Sequence, residues 1–437
     1  MFTSGVDSAI EARESGVNVV DYLQRRGYVQ DVSDEAALRK AFDDDIVTAY
    51  IGFDPTARSL HIGNQLGIML LAVLQRFGHQ PVALGGAGTA MVGDPSGRTS
   101  VRDVLSEEQI RQNMKSILPQ FDRFLDFKGD RFGSNPAALL MNNADWLLRL
   151  NYIEFLRDIG RHFSVNEMLA AETYKVRVES GAGLNFVEFN YRIVQAYDFL
   201  HLYRTTGCRL QMGGSDQWGN IVAGVDLIRR VEGVQAFALV SPLITAASGE
   251  KLGKSAGNSV WLESSMTSAY DYYQYWVNVD DADVERLLKL FTFVPDDEIA
   301  SLTSVTGDAL REAKRVLAVQ VTTLAHGARA AQEADTSAQA LFGSDSLDAM
   351  LADPNVPTAT LSKEALKSGL TIAEAFIEAG LATSRGDARR LASQGGLSID
   401  GAGSTMSMLR GGNFKPIDRP QLFSEQAETI QESGHRS

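Results

Sequence analysis

The sequence predicts an α/β protein: a Rossmann-like nucleotide-binding domain with a helical insertion, followed by an α-helical domain and a small α+β module. Buried strands alternate with amphipathic helices over the first half of the 437-residue chain. Two of these strands run into polar turns that contain glycine and open a helix, as the nucleotide-binding crevices of this fold class do. From residue 269 to residue 342 the apolar residues recur at helical spacing, which indicates a separate helical region.

The first strand-to-helix turn lies in the segment Tyr50–Asn64, with the sequence YIGFDPTARSLHIGN. We expect a buried strand from Ile46 to Phe53 and an amphipathic helix after the turn. The apolar stripe of that helix comprises Leu66, Met69, Leu70, Val73, Leu74 and Phe77. Free backbone N–H groups and the positive end of the helix dipole favour an anion at such a turn. His61 and Asn64 share a helical face and Gly63 presents no Cβ to a ligand, so the turn predicts a site for a triphosphate or a nucleoside.

The second candidate site is a Gly/Ser-rich loop, residues 248–258, in which Lys251 and Lys254 stand three apart and Ser255 follows. By itself such a loop is more often a solvated turn than a binding site. Neither lysine belongs to an apolar pattern that would use its stem for packing. Together with the His61 turn, the loop resembles the pair of ATP-binding motifs of class I aminoacyl-tRNA synthetases in order and separation. Asn64 stands where that motif usually has a second histidine, and its amide can still donate to a ribose or phosphate oxygen.

A polar face on a predicted helix between these two sites indicates a substrate pocket. Tyr191, Gln195 and Asp198 are spaced i, i+4 and i+7 and line one face of helix 187–200, whereas the opposite face already supplies apolar core residues. The alternative is a face turned to water, the usual place of Gln and Asp. A further strand, glycine turn and helix follow at Gly213–Asn220, where Asp216 is a natural partner for ribose hydroxyls.

Five segments carry a closer resemblance: Tyr50–Gly52, Gly93–Gly97, Phe155–Asn166, Tyr191–Asp198 and Gly213–Asn220. Through them the chain, from about residue 18 to about residue 342, resembles the bacterial-type tyrosyl-tRNA synthetases. Motifs of this length are far more specific than a lone glycine pattern. By contrast, the segment from Gly86 to Met91 lacks the third glycine of the dinucleotide fingerprint.

The resemblance implies a role for each polar residue of the pocket. Tyr50 and Asp198 would hold the phenolic hydroxyl of the substrate tyrosine, because phenylalanine would leave both unpaired; a tyrosyl-tRNA synthetase is the standard example of this discrimination. The other tyrosine-binding residues that it implies are Asp94, Tyr191 and Gln195 for the α-amino group and Gln217 for the carboxylate. Those implied for ATP or the adenylate are Gly52, Asp54, Gly63, Gly214, Asp216 and Lys254. Those implied for catalysis at the departing pyrophosphate are His61, Asn64, Thr56, Lys251, Lys254, Ser255, Arg98 and Arg102.

The reaction that the resemblance implies is activation of L-tyrosine by ATP, followed by transfer of the tyrosyl group to tRNA(Tyr). A carboxylate is already an adequate nucleophile, so the site needs to supply positioning and positive charge rather than a general base. Mg²⁺ would accompany ATP as a substrate, held mainly by the phosphates. The sequence contains no Cys/His cluster with zinc spacing, and we expect neither a protein-bound zinc ion nor an organic cofactor.

The predicted domain boundaries follow the composition and the resemblance. Residues 1–44 form an N-terminal helical extension, and residues 45–245 form the Rossmann-like catalytic domain. Within it, the resemblance makes the helical insertion 149–187 a homodimer interface. Residues 246–342 hold the lysine loop and the α-helical domain, and 343–360 form a linker. Residues 361–415, with Arg389 and Arg390, resemble the alpha-L RNA-binding module of this family, and 416–437 read as a disordered tail.

Composition limits the location and the partners. The net charge of −14 argues against generic nucleic-acid binding, and we expect no DNA partner, although a local basic patch is enough for tRNA. The single cysteine, Cys208, excludes an internal disulfide and predicts a core residue. No apolar run has transmembrane length and the N-terminus has no signal-like region, so we expect a cytoplasmic protein without membrane contact.

Two alternatives to an active ligase stay open at this point. One is an ATP-dependent adenylylating enzyme of the same fold that does not charge tRNA, which the altered C-terminus would favour. The other is a non-catalytic relative that binds structured RNA. An RNA scaffold has no physical need for Tyr50 and Asp198 together, which speaks against the second alternative.

Overall fold

The computed structural model describes residues 7–96, 105–170, 174–175, 185–247, 249, 252–255, 258–343, 358–361, 371–393, 397–399, 402–403, 422–425 and 428–432. By its internal contacts the chain divides into two units, residues 1–328 and residues 329–437. The first unit contains the predicted catalytic domain and the predicted helical domain up to residue 328, and the remainder of the helical domain falls in the second unit. Arg98, Arg102 and Lys251 lie outside the described residues, and so does most of the predicted linker.

A six-stranded sheet organises the first unit. Its strands are β1 (Asp31–Val32), β2 (Thr48–Phe53), β3 (Gln80–Gly85), β4 (Leu139–Asn142), β5 (Leu210–Gly214) and β6 (Phe237–Ser241). They lie in the order β1-β6-β5-β2-β3-β4, and all neighbours are parallel except β1 and β6. The chain reverses its direction of winding between β2 and β5, which is where open α/β sheets bind ligands. The predicted Rossmann-like fold class is confirmed.

The helices described in the first unit cover the sheet and form a helical region after it. They are α1 (Ser8–Glu14), α2 (Val19–Arg26), α3 (Glu35–Asp44), α4 (Ile62–Arg76), α5 (Ala87–Ala90), α6 (Glu107–Ile117), α7 (Ala144–Leu147), α8 (Tyr152–Asp158), α9 (Val165–Leu169), α10 (Phe186–Thr206), α11 (Trp218–Glu232), α12 (Ala269–Val277), α13 (Val284–Phe291), α14 (Asp296–Thr303) and α15 (Arg311–His326). Strands β7 (Lys254–Ser255) and β8 (Asn258–Ser259) pair antiparallel in the C-terminal half of the lysine loop. No helix among the described residues has the length and apolarity that crossing a membrane requires.

Helix α4 is buried on almost every side. All six residues of the predicted apolar stripe are buried, and so are most residues between them. The helix packs on β2 and β3 with one side and on α1 and α13 with others. The N-terminal end of α4 is therefore held rigidly against the end of β2. Cys208 is fully buried, as its apolar neighbours predict.

The N-terminal extension is more than a set of helices. Its two-residue strand β1 pairs antiparallel with β6, so the extension contributes the edge of the catalytic sheet. Arg26, at the end of α2, is completely buried and donates to the carbonyl oxygens of Lys289 (2.8 Å), Thr292 (2.6 Å) and Val294 (2.7 Å), and to Asp296 Oδ1 (3.0 Å). A cation at the C-terminal end of α13 both satisfies its free carbonyl groups and complements the helix dipole.

The second unit contains three helices and a five-stranded sheet among its described residues. The helices are α16 (Ala328–Gly343, whose first residue ends the first unit), α17 (Ile372–Glu378) and α18 (Arg385–Ser393). The strands are β9 (Thr358–Leu361), β10 (Leu397–Ile399), β11 (Ala402–Gly403), β12 (Leu422–Glu425) and β13 (Glu428–Glu432), in the order β11-β10-β12-β13-β9. Strand β13 pairs antiparallel with β12 and parallel with β9.

Two strands stand where the sequence predicts a disordered tail. The prediction for 416–437 is therefore wrong over β12 and β13, and the sheet of the second unit extends beyond the predicted end at 415 and begins before 361. The composition of this segment, rich in Gln, Glu and Ser, signals little apolar burial. Backbone pairing satisfies such a segment without it, and the register places Phe423 opposite Ile430.

Replacing Arg26 with alanine should destabilise the first unit strongly. The variant leaves several buried carbonyl groups without a donor, so we expect the free energy of unfolding to fall by about 3 kcal/mol in urea titrations. Arg25→Ala is the matched control, because the Arg25 guanidinium pairs with the same Asp296 but its side chain is 49% exposed. It should change stability by less than about 1 kcal/mol. Equal losses in both variants would contradict the capping role.

Candidate active site

A cavity of about 810 Å³ opens at the carboxyl ends of β2, β3 and β5, at the switch point of the sheet. The residues of the predicted site that line it are Tyr50, Gly52, Asp54, Thr56, His61, Gly63, Asn64, Asp94, Tyr191, Gln195, Asp198, Gly214, Asp216 and Gln217. The structure thus brings together residues that are separated by more than one hundred positions in the chain. Lys254 and Ser255 are described only as the backbone of β7.

The turn between β2 and α4 forms a reciprocal cap. His61 is the N-cap of α4, and its Nδ1 accepts the backbone N–H of Asn64 (3.3 Å), while Asn64 Oδ1 accepts the backbone N–H of His61 (3.1 Å). A Cβ on Gly63 would lie 2.8 Å from His61 Cε1, so the glycine makes room for the imidazole itself. Burial lowers the pKa of His61, and the neutral ring that accepts at Nδ1 carries its proton on Nε2, where it can donate.

The innermost part of the cavity holds a buried carboxylate. Asp198 Oδ1 accepts the indole N–H of Trp146 (2.7 Å), and Oδ2 accepts an amide N–H of Asn143 (2.8 Å). Burial raises the pKa of Asp198 to about 7, against the effect of these two hydrogen bonds and with a further contribution from Asp54. The hydroxyl of Tyr50, also buried, makes no hydrogen bond within the protein. Both groups are therefore placed to recognise a polar atom that enters the cavity.

A chain of hydrogen bonds connects this carboxylate with the nucleotide side of the cavity. The Asn143 amide also donates to Thr89 Oγ1 (3.0 Å), and the Thr89 hydroxyl lies 2.7 Å from Asp54 Oδ1. Tyr191 donates from its hydroxyl to Asp54 Oδ2 (3.5 Å). A Cβ on Gly86 would lie 2.1 Å from Asp54 Oδ1, so the residue that follows β3 must be glycine to admit that carboxylate.

A second polar cluster lies at the opposite end of the predicted tyrosine site. Gln217 Nε2 donates to Asp94 Oδ2 (2.7 Å), and Gln195 Nε2 donates weakly to Gln217 Oε1 (3.4 Å). Asp94 Oδ1 accepts the backbone N–H of Ser96 (2.9 Å), which fixes the carboxylate. The buried oxygen Gln195 Oε1 has no donor within the protein. The cluster therefore presents a carboxylate and an unused amide oxygen, which suits a cationic group.

Side chains of the helical region hold the lysine loop just before its start and at its middle. The backbone N–H of Ala247 donates to Asp283 Oδ2 (2.7 Å), and that of Gly253 donates to the Tyr275 hydroxyl (2.8 Å). Gly253 has a φ of +87°, and a Cβ there would lie 3.2 Å from Ile62 Cβ. Glycine at this position allows the loop to approach the start of α4, next to the His61 cap.

Sequence reasoning missed several residues of this site. Thr89, Asn143 and Trp146 connect the predicted groups, yet none belongs to a segment to which the sequence assigned a role. A usable signal exists: Asn143 directly follows β4 and Thr89 lies just after β3, and carboxyl ends of parallel strands meet at the ligand edge of a sheet. Thr89 lies in the segment from Gly86 to Met91, which lacks the dinucleotide fingerprint and to which the sequence therefore assigned no role.

The raised pKa of Asp198 predicts a pH-dependent effect of Asp198→Asn on stability. Between its usual value of 3.8 and about 7, the folded protein holds a proton that the unfolded chain has released. Stability from this group is therefore lost as the pH rises through that window. The stability of the wild type relative to the variant should fall by at most about 1.4 kcal/mol for each pH unit. Urea unfolding of both proteins at about pH 5 and about pH 8 measures it; a difference that does not change with pH would contradict the assignment.

Comparison with known proteins agrees with this geometry. Residues 44–343 match the family model described as tRNA synthetases class I (W and Y). The tyrosine–tRNA ligase of Clostridium kluyveri is 48% identical over 394 residues, which cover 90% of this chain and 93% of the relative. That of Desulfosudis oleivorans is 50% identical over 396 residues, which cover 87% of this chain and 90% of the relative.

Solved structures give the same family. A C-terminally truncated mitochondrial tyrosyl-tRNA synthetase of Aspergillus nidulans aligns with a TM-score of 0.68 and 32% identity, over 77% of this chain and 97% of its own. A tyrosyl-tRNA synthetase of Archaeoglobus fulgidus, at 17% identity and a TM-score of 0.53, shares the fold. Since the family model spans more than half of the chain and the bacterial relatives approach half identity, the chain belongs to the class I aminoacyl-tRNA synthetases, among the bacterial-type tyrosyl-tRNA synthetases, which are tyrosine–tRNA ligases.

Proposed function

We propose that the cavity at the switch point carries out both steps of the ligase reaction. The carboxylate of L-tyrosine attacks the α-phosphorus of ATP, which gives tyrosyl-adenylate and releases pyrophosphate. The tyrosyl group then passes to a hydroxyl of the 3′-terminal ribose of tRNA(Tyr), and AMP leaves. The observation that carries this proposal is the buried pair of Asp198 and Tyr50 at the bottom of the cavity, where the Tyr50 hydroxyl has no partner within the protein.

The bottom of the cavity recognises the phenolic hydroxyl in this proposal. Asp198 accepts a hydrogen bond from the phenolic O–H, and the Tyr50 hydroxyl donates a hydrogen bond to the phenol oxygen. Phenylalanine would fill the same space without either hydrogen bond. The buried Tyr50 hydroxyl would stay unpaired, and Asp198 would keep only the hydrogen bonds that it accepts within the protein. The site therefore rejects phenylalanine through the free energy of unpaired polar groups rather than through shape.

The second polar cluster binds the amino-acid end of the substrate. The carboxylate of Asp94 and the unused oxygen Gln195 Oε1 receive the α-ammonium group, with the Tyr191 hydroxyl beside them. Gln217 donates to the carboxylate of the substrate. Its amide nitrogen carries two N–H groups and donates one of them to Asp94, so the second can serve the substrate.

The nucleotide side supplies positive charge and hydrogen-bond donors to the phosphates. His61 donates from Nε2, Asn64 from its amide, and Thr56 from its hydroxyl. The remaining groups that we assign to the departing pyrophosphate are Lys251, Lys254, Ser255, Arg98 and Arg102. Those that we assign to the adenosine part are Gly52, Asp54, Gly63, Gly214 and Asp216.

ATP enters as its Mg²⁺ complex, because the phosphates themselves hold this ion well and leave it several waters. Within the described ranges, no three His, Cys, Asp or Glu side chains are grouped so that they could hold a metal ion. The chemistry of the first step needs no proton acceptor, since the attacking carboxylate is ionised at neutral pH. Positioning and charge stabilisation by the residues above account for it.

An exposed apolar surface on the helical insertion supports a homodimer. Large apolar side chains are exposed on α8, on α9 and next to them: Leu148, Tyr152, Ile153, Leu156, Val165, Leu169, Phe186 and Val187. A stretch of the chain that exposes so many large apolar side chains usually marks a protein interface. We assign it to a second copy of the chain. The second unit, with Arg389 and Arg390 on α18, we assign to tRNA, and the whole reaction to the cytoplasm, where tRNA is charged.

Tyrosine-dependent exchange between ATP and pyrophosphate tests the first step. The wild type should exchange with tyrosine and not with phenylalanine, and Asp198→Ala should lose tyrosine binding while ATP binding stays unchanged.

The same exchange assay tests the lysine loop. Lys254→Ala should slow the exchange by raising its activation free energy by about 3 kcal/mol, the scale for one preorganised donor. Unchanged exchange in Lys254→Ala would remove the lysine loop from the mechanism. Exchange without charging of added tRNA would favour the tRNA-independent adenylylating enzyme.

Introducing a charge on the apolar surface tests the homodimer. Ile153→Glu, at a side chain that is 69% exposed, should convert a dimer into a monomer in sedimentation experiments, because the interface would bury an unpaired carboxylate. Ile46→Glu is a matched control, since Ile46 is 63% exposed and stands just before β2, outside the insertion in the chain. A wild-type monomer, or dissociation caused by both substitutions alike, would contradict this interface.

A further inference from the structure

The indole of Trp146 is held at two points by one turn of α10. Its Nε1 donates to Asp198, and its ring stacks on the imidazole of His201, with the ring centroids 4.2 Å apart and the planes inclined by 17°. Asp198 and His201 are three residues apart on α10, so they lie above one another on the same helix face. A single flat side chain therefore spans the carboxylate and the imidazole.

The hydrogen bond alone does not fix the indole. A ring that donates one N–H can still rotate about that bond, and a contact against the ring face removes this freedom. His201 supplies such a contact at the stacking distance typical of aromatic pairs. Tyr197, one turn earlier on the same face, lies 6.3 Å from the His201 ring and meets Phe155 edge-on at 5.4 Å. His201 thus belongs to a row of aromatic rings that ends at the Asp198 carboxylate.

His201 stacks as an uncharged ring. Burial lowers its pKa, and the nearby Arg204 lowers it further. The contact with Trp146 is therefore an interaction between two neutral aromatic rings at physiological pH, which another flat ring can reproduce. The imidazole is only partly buried and lines neither the tyrosine end nor the nucleotide end of the cavity.

We propose that His201 is a positioning residue for tyrosine recognition: by stacking on Trp146 it holds the indole N–H on Asp198 and keeps this carboxylate aligned for the phenolic hydroxyl. This inference rests on the proposed role of Asp198. It assigns His201 no contact with substrate. Its substitution should therefore affect only recognition of the tyrosine hydroxyl. The binding of ATP and the release of pyrophosphate should not change.

The test measures exchange kinetics for tyrosine and phenylalanine in the full-length protein. His201→Ala should raise the KM for tyrosine about tenfold, the scale on which a hydrogen bond to a charged group is weakened. The preference for tyrosine over phenylalanine should fall by a similar factor, because phenylalanine does not use the carboxylate. The KM for ATP and the maximal exchange rate should stay unchanged. His201→Phe should keep the wild-type KM for tyrosine, because it restores a neutral ring.

Two further variants separate the possible failures. Thr205 lies one turn after His201, and its exposed hydroxyl donates to the His201 carbonyl oxygen. Thr205→Ala removes this hydroxyl and controls for a local disturbance of α10. It should match the wild type. His201→Leu keeps apolar bulk without a ring, so it should resemble His201→Ala if stacking matters and also serves if the alanine variant does not fold.

Each outcome then has one meaning. An unchanged tyrosine preference in His201→Ala, or an equal loss with tyrosine and ATP, would overturn the positioning role. A failure of His201→Phe to restore the KM would overturn stacking as its cause. Asp198→Asn is measured in parallel: if that variant also keeps the wild-type preference for tyrosine, the proposed role of Asp198 fails, and the inference about His201 fails with it.

Discussion

The burial of the Asp198 carboxylate is the constraint on which the site depends. An ionised carboxylate away from water is unfavourable by several kcal/mol unless donors replace its hydration, roughly the range seen for buried ions in proteins. Two donors do so here, and both come from the segment after β4, which lies at the edge of the sheet. The position of β4 beside β3 is therefore a requirement of the proposed tyrosine recognition. The same Asn143 amide also donates to the Thr89 hydroxyl, which donates to Asp54. One hydrogen-bond network therefore joins the proposed tyrosine and nucleotide ends of the cavity.

Recognition of this kind conflicts with stability, and the fold compensates elsewhere. The Tyr50 hydroxyl and Gln195 Oε1 are buried without partners, and each such atom destabilises the empty protein by about 1–3 kcal/mol. Substrate binding recovers that free energy, which is why the groups discriminate. Distant contacts such as the cap of Arg26 on α13 supply stability at positions where no flexibility is needed. Functional sites are expected to break local rules in this way.

Much of the fold and of the site follows from local patterns in the sequence. The apolar stripe of α4 and the polar face of Tyr191, Gln195 and Asp198 obey helical spacing, and periodicity alone brings their members together. Thr89 and Trp146 obey no such pattern, since their roles depend on β3 and β4 lying side by side, which is a tertiary fact. The two-residue strand β1 is too short to show alternation, and β12 and β13 form from segments of polar composition. Strands β1 and β13 also pair with strands far away in the chain, β6 and β9.

The cap at the start of α4 shows what the asparagine at position 64 changes. An amide separates its acceptor and donor on two atoms: Oδ1 accepts from the His61 backbone, and the NH₂ group stays available to a ligand. The cap also consumes the His61 acceptor Nδ1, so the neutral ring retains one donor and no positive charge. The turn therefore contributes hydrogen bonds and the helix dipole but no full charge to a polyphosphate. In the proposed mechanism, full positive charge on the phosphates has to come from lysine and arginine. Tyr275 and Asp283 therefore matter chemically, because they fix the backbone of the loop that carries the lysines.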